Sequence, residues 1–239
     1  MIHIKSPQEI AHMATGGKIL AEVLWEVLEN IRPGVSESQL DILAEKRILE
    51  KGAIPGFKKV RGYRHAICVS TNNVVVHGIP GPYALKEGDI IGIDCGVYYK
   101  GLHTDMSHTV HVRQNAKRKT QNDSVDLFLE TGKKALEEAI EQAKLGNRVG
   151  HISQTIQKIV EGAGYSVVRN LVGHGVGKQL HEEPEIPGFL AMPLAKTPLL
   201  TEGMTIAVEV IYNMGKSDVV FVNDDGWTIK TVTQGSFWN

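Results

Sequence analysis

Two aspartates, Asp94 and Asp105, stand eleven residues apart in the stretch 90–112, IIGIDCGVYYKGLHTDMSHTVHV. Asp94 ends an apolar run in which Ile90, Ile91 and Ile93 read as a half-buried strand. Gly96 and Gly101 flank a β-branched and aromatic run, and a third strand-like run starts at Thr109, so the spacing predicts an antiparallel meander. A hairpin within that meander puts both carboxylates on one face. Carboxylates so placed either repel or share something positive. A divalent metal is the simplest partner, because hard oxygen ligands can bridge two ions while burial removes competing water. The competing reading makes both aspartates loop-end or capping residues.

An internal repeat favours the first reading. The segment Leu85-Lys-Glu-Gly-Asp-Ile-Ile91-Gly-Ile93-Asp94 is echoed by Leu200-Thr-Glu-Gly-Met-Thr-Ile206-Ala-Val208-Glu209, with a carboxylate six residues after the glycine in both copies. Upstream, Gly34 and Gly52 bracket a helical pattern of the same length as the one between Gly146 and Gly164. The period is too long for a solenoid. Two copies, each with helices first and strands after, predict duplicated halves of roughly residues 1–118 and 119–239 about a pseudo-twofold axis, with Asp94 facing Glu209.

Histidines supply the nitrogen donors. In Gly173-His174-Gly175-Val176-Gly177 three glycines surround one histidine, a poor choice for a packed strand unless a backbone or a ligand comes close. His174 is therefore a ligand candidate. His181 follows seven residues later, ahead of Glu182 and Glu183, whose diverging side chains read as a solvated pair. His77 ends the strand-like run Val74–Val76 before Gly-Ile-Pro, a place for either a structural or a site histidine. Asp94, Asp105, His174 and Glu209 make three carboxylates and an imidazole. Such a set suits borderline divalent ions such as Mn, Fe, Co or Zn, two of them about 3.5–4 Å apart. The chemistry implied is binuclear hydrolysis: a bridging hydroxide attacks a polarised carbonyl, Glu209 takes its proton, and a nearby histidine stabilises the tetrahedral intermediate. No Gly-Xaa-Ser-Xaa-Gly elbow competes, and Gly173–Lys178 lacks the spacing of a phosphate loop. Cys95 reads as a small core residue, with a catalytic thiol as the alternative.

The elements that must carry these residues are legible in outline. Ser6 reads as an N-cap with Pro7 at the first helical position, and apolar residues from Ile10 to Leu28 continue at helical spacing for some six turns until Arg32-Pro33-Gly34. Ser36 or Ser38 caps the next helix, with Leu40, Leu43, Ile48 and Leu49 as its core face. Strands are expected at 66–70 and 74–76, and further helices at about 124–143 and 149–162. The polar stretch Asn115–Asp123 is expected to be a surface crossover between the halves. A chain of 239 residues with 42% hydrophobic content can bury one sizeable core, and nothing reads as a flexible linker. A net charge of −1 without a basic tract disfavours nucleic acid and anionic membrane as partners. No apolar run approaches the roughly 18 residues of a membrane span, and the N-terminus lacks a signal-peptide pattern, so the cytoplasm is the default. Cys68 and Cys95 make no disulfide framework or zinc knuckle by themselves.

Taken together, VVVHGIP around His77, EGDIIGIDCG around Asp94, HTDMSHT around Asp105, GYSVVRNLVGHGVG around His174, LHEEP around His181, EGMTIAVE around Glu209 and DDGWTIKT around Trp227 resemble the type I methionine aminopeptidases. The segments occur in family order over nearly the whole chain. The resemblance implies an α+β pita-bread fold, two pseudo-symmetric helix-strand halves around a curved antiparallel sheet. It implies a metallopeptidase that removes N-terminal methionine from nascent proteins when the next residue is small, a monomer working on N-termini emerging at the ribosome. Asp94, Asp105, His174 and Glu209 would hold two divalent ions (Co, Mn, Fe or Zn), and His77, His181 and Glu209 would be catalytic. His77 and His181 would also contact substrate, and Tyr63, Cys68, Leu180 and Trp227 would line the methionine pocket. Only 28 residues separate His181 from Glu209, which leaves no room for the helical insert of the type II enzymes.

Three departures accompany the resemblance. Val210 follows Glu209 where the family usually has proline, and Val60 stands where an aromatic pocket residue is common. After Trp227 the family continues into a strand whose glutamate bridges both metals, whereas this sequence reads Val232-Thr-Gln-Gly-Ser-Phe-Trp-Asn239 and has no glutamate after Glu209. From that departure follows the expectation of one ion or none, and of a second reading, a metal-poor pita-bread protein that binds peptides or a partner without hydrolysis.

Overall fold

The computed structural model describes residues 2–114, 124–222 and 224–232. Its first helix, α1 (Pro7–Glu29), starts where Ser6 accepts from the Glu9 amide while Glu9 reaches back to the Ser6 amide, a reciprocal capping box with Pro7 in the first turn. α2 (Glu37–Glu50) starts the same way with Ser36 and Gln39. Leu40, Ala44 and Ile48 of α2 are buried, but Leu49, expected on that face, is 54% exposed. With Ile48 facing inward, the next residue turns about 100° away from the core.

Five strands follow in the first half: β1 (Ile54–Pro55), β2 (Ile67–Thr71), β3 (Val74–Val76), β4 (Ile90–Tyr99) and β5 (Leu102–His111). β4 is central, with β5 along one edge and β2 and the short β1 on the other. The expected three-strand meander is instead one hairpin of two ten-residue strands. Lys100 and Gly101 take φ of 47° and 88°, the two-residue geometry whose twist suits a tight hairpin, whereas Gly96 stays inside β4. A Cβ at Gly96 would lie 2.5 Å from the Phe57 ring, so that glycine serves packing and not turning.

The second half contains α3 (Ser124–Ile140), α4 (Val149–Gly162), β6 (Ser166–Val167), β7 (Val172–Gly175), β8 (Glu182–Pro187), β9 (Ile206–Ala207), β10 (Tyr212–Asn213), β11 (Val219–Phe221) and β12 (Ile229–Thr231). α3 stops short of the expected Ala143 because its end tightens into three-residue turns, Gln142 N to Ala139 O and Ala143 N to Ile140 O. The expected crossover at Asn115–Asp123, which contains the boundary between the halves, lies outside the described residues, as does the segment after Val232.

The repeat is visible in backbone detail. Ser36 bridges Ala84 in the first half, and Arg148 bridges Leu199 in the second. Gly88 and Gly203, the glycines of the two Glu-Gly turns, have φ of 90° and 82°. Each half has its own apolar core, one built around Leu20, Leu40, Ile91 and Ile93, the other around Ile152, Ile156, Val160 and Ile186. Between the halves, β12 pairs with β3 and the His103 amide donates to the Gly177 carbonyl at 2.7 Å; within the second half, β7 is flanked by β8 and β9.

Candidate metal centre and active site

Asp94 lies opposite Ser107 in the hairpin, and Asp105 is two residues from Ser107. Side chains two apart on a strand share a face, so both aspartates point the same way, as their spacing predicted. Burial pushes the Asp94 carboxyl well above its ordinary range, reinforced by the charges of Asp105 and Glu209. Burial and Glu209 push Asp105 up to about 6, although His174 pulls in the opposite direction. Neither aspartate caps a loop. Their carboxyls lie against each other, and Asp105 Oδ1 is buried without a hydrogen-bond partner.

β7 brings His174 to the same place. Its Nε2 is 3.2 Å from Glu209 Oε1 and 3.6 Å from Asp105 Oδ2, while Nδ1 faces the Gly175 carbonyl at 2.7 Å. That second contact requires Nδ1 to carry a proton, so the lone pair of a neutral ring falls on Nε2, toward the carboxylates. Burial lowers the His174 pKa, but hydrogen bonds to Glu209 and the Gly175 carbonyl outweigh it and the net shift is upward. The glycines around His174 are required by space. A Cβ on Gly173 would lie 2.5 Å from the Ala207 carbonyl oxygen, and one on Gly175 would overlap the Glu183 carbonyl. The backbones of β9 and β8 thus close on β7 from both sides.

His174, Asp105 and Glu209 come together, and the Asp94 carboxyl feels the charges of Asp105 and Glu209. Among the described residues, no group of three or more His, Cys, Asp or Glu side chains is closed around one coordination point. Within the set, His174 is within hydrogen-bond reach of Glu209, and burial with the neighbouring charges drives Asp94 toward its neutral form. The donors fit a divalent cation. Asp105 Oδ1 has no other partner, and the His174 tautomer aims a lone pair where a proton can be exchanged for an ion.

Two further imidazoles border this cluster. The His181 ring lies 4.3 Å from that of His174 in a T-shaped arrangement, and burial followed by the charge of His174 lowers its pKa to about 4. His77 follows β3 with a φ of 57°, a left-handed conformation that a non-glycine residue adopts at a cost and that is concentrated at functional sites. Burial lowers its pKa too, and Glu209 and His174 are the charges it feels. Both rings are neutral near pH 7.

Beside them is an apolar cluster of Phe57, Tyr63, Cys68 and Leu180, with Val60, Ile79 and Trp227 packed against it. All four expected pocket residues are in it, and Val60 occupies its edge. Tyr63 donates to the Ile67 carbonyl at 2.8 Å and meets the Trp227 ring edge-on at 5.1 Å. Asp225 accepts from the amides of Trp227 and Thr228, which fixes the loop that presents the indole. Burial raises the Cys68 thiol, so it stays neutral and behaves as an apolar wall. Cys95 is buried and raised for the same reason, which removes the catalytic-thiol alternative.

Two features escaped sequence reasoning. Glu182 is not solvated: its side chain is 3% exposed and pairs with Lys5 Nζ at 2.5 Å. That pairing spans 177 residues and has no local signature. His103 is buried against Tyr98, its Nδ1 lacks a partner, and burial together with Lys59 and His181 lowers its pKa to about 4.

Three carboxylates and an imidazole lie between two pseudo-equivalent halves and next to an apolar cluster, on a pita-bread fold. Residues 11–229 match metallopeptidase family M24, and the chain belongs to that family. It is 42% identical to the methionine aminopeptidase of Clostridium perfringens over 97% of this chain and 89% of the relative. To methionine aminopeptidase 1 of Bacillus subtilis it is 43% identical, over 97% and 90%. The crystal structure of a methionine aminopeptidase from Thermotoga maritima superposes with a TM-score of 0.88 at 39% identity, covering 97% of this chain and 90% of that one.

Proposed function

We propose that this metallopeptidase removes the N-terminal methionine from nascent proteins when the next residue is small. The observation that carries the reading is His174 Nε2 within 3.6 Å of both Asp105 and Glu209, with Asp105 Oδ1 buried and unpartnered, alongside the Tyr63, Cys68, Leu180 and Trp227 cluster. Asp94, Asp105, His174 and Glu209 would hold one or two divalent ions drawn from Co, Mn, Fe and Zn. When bound, these ions provide Lewis-acid activation of the peptide carbonyl and a water nucleophile at neutral pH.

The rest is the work of side chains. Glu209 accepts a proton from the attacking water at its carboxylate. His77 and His181, neutral because burial depresses both, donate N–H bonds to the substrate amide and to the oxygen that gains negative charge. Tyr63, Cys68, Leu180 and Trp227 receive the thioether side chain, which an apolar, sulfur-tolerant wall accommodates. The protein acts as a monomer of one domain with two halves, in the cytoplasm, on N-termini emerging from the ribosome. No described helix is long and apolar enough to cross a membrane. The relatives share the peptidase reading and not that of a non-hydrolytic binding protein.

Hydrolysis of peptides headed Met-Gly, Met-Lys and Ala-Pro tests the proposal. Preference for Met-Gly is expected. Preference for Ala-Pro would move the activity to proline-specific chemistry and overturn it.

A further inference from the structure

The N-terminal segment ahead of α1 is part of the active-site scaffold. Lys5 is 6% exposed although it is a lysine, and it reaches the loop that delivers His181. Its Nζ donates to Glu182 Oε2 at 2.5 Å and to the His3 carbonyl at 3.1 Å. The other Glu182 oxygen accepts from the Gln179 amide at 3.0 Å, so one carboxylate ties both ends of the turn 179–182 that contains His181. The Lys5 amide also donates to the Gly203 carbonyl at 2.8 Å, in the Glu-Gly turn ahead of Glu209. One residue therefore contacts the two loops leading to His181 and Glu209.

The third glycine of the His174 motif makes room for this arrangement. A Cβ on Gly177 would lie 2.9 Å from Lys5 Nζ and 3.0 Å from Glu182 Oε1. The Gly177 carbonyl meanwhile accepts the His103 amide at 2.7 Å, linking the same loop to β5 two residues from Asp105. A side chain at position 177 would require the end of the Lys5 side chain to shift. A buried lysine ammonium is expensive to desolvate, and a pair so placed acts better as a device that specifies one arrangement than as a source of net stability.

We propose that Lys5, acting through Glu182, is a positioning residue for His181, and that Gly177 supplies the space the pair needs. The inference rests on the proposed role of His181 toward substrate. Lys5 acts through the turn that sets the imidazole against the His174 ring. A misplacement of about 1 Å can cost on the order of 100-fold in rate.

The test compares Lys5→Met, Glu182→Gln, Gly177→Ala and Lys5→Arg with the unaltered full chain, using a Met-Gly peptide for kinetics and Mn titration for metal affinity. Lys5→Met and Gly177→Ala should each lower kcat about tenfold or more, with KM and Mn affinity within about twofold. Lys5→Met combined with Glu182→Gln should be no slower than Lys5→Met alone, because both act on one interaction. Lys5→Arg should recover part of the rate. An unchanged kcat in folded Lys5→Met overturns the inference, and so does a parallel loss of Mn affinity, which would indicate general collapse of the site. Should Lys5→Met not fold, Gly177→Ala and Glu182→Gln decide by the same criteria. His181→Ala is the control: a drop there without one in the others overturns the inference alone, and no drop in His181→Ala overturns the reading beneath it.

Discussion

The two halves of the molecule share a plan and differ in how firmly they hold their functional residues. Asp94 and Asp105 lie inside ten-residue strands joined by a two-residue turn, and their hairpin is paired along its whole length. His174 comes from a four-residue strand, and Glu209 lies two residues beyond a two-residue strand. Regular pairing positions a side chain without help. A short strand does not, and here close packing of β8 and β9 on the glycines of β7, together with the Lys5 contacts, does that work. The duplicated plan therefore supplies two carboxylates from a self-supporting half, and the imidazole and the third carboxylate from a braced one.

The largest expected effect bears on the first half. Asp105→Ala should abolish tight divalent binding, a loss on the order of a thousandfold or more because both halves meet at this carboxylate. His77→Ala should leave metal affinity near normal and slow turnover by about 10²-fold or more. Calorimetry and a peptide assay on the pair check both, and the reverse order of effects overturns the assignment.

Core substitutions probe the halves by stability. Ile93 and Ile186 are both fully buried, one in the long hairpin and one in β8. Each change to alanine should cost about 2–5 kcal/mol, measured by urea unfolding. Native-state hydrogen exchange should separate the halves more sharply, with β4 and β5 amides the slowest and β7 and β9 amides opening more readily. Equal protection would remove the contrast.

The pH dependence of the metal-free protein offers a smaller effect with a fixed sign. Burial raises Asp105 to about 6, above its ordinary 3.8, so the folded state binds its proton more tightly than the unfolded chain does. That contribution is present below 3.8 and lost as pH rises through about 6. His103 and His181, lowered to about 4, act oppositely: their contribution is present above 6.5 and lost as pH falls toward 4. Melting temperature relative to Asp105→Asn isolates the carboxylate. The unaltered metal-free protein should lose ground against the variant between about pH 4 and 6; a constant difference would contradict the burial of that charge. The smallest effect is expected at the pocket, where Trp227→Ala should raise KM for Met-Gly peptides several-fold with little change in metal affinity.

Much of this was legible before any coordinates. Ser6 with Glu9 and Ser36 with Gln39 announce their helices through capping chemistry, and the carboxylate six residues after each Glu-Gly turn marks the repeat that brings Asp94 toward Glu209. The hairpin departs from the expected meander because Gly96, which looks like a turn residue in sequence, packs against Phe57 in space. Leu49 faces solvent against expectation because hydrophobicity alone does not distinguish neighbouring positions at the edge of a helix face. Lys5 and Glu182 were out of reach for a different reason: their contact is set by how the N-terminal segment crosses the second half, and no local pattern encodes that.

The central claim is that a divalent cation held by Asp94, Asp105, His174 and Glu209 drives hydrolysis of an N-terminal methionyl bond. The most direct measurement is Met-Gly peptide cleavage by one preparation before chelation, after chelation and after return of Mn or Co, with Asp105→Ala carried through in parallel. Activity should vanish on chelation, return with the metal, and be absent from Asp105→Ala throughout. Cleavage that survives chelation, or that Asp105→Ala retains with metal present, would contradict the account.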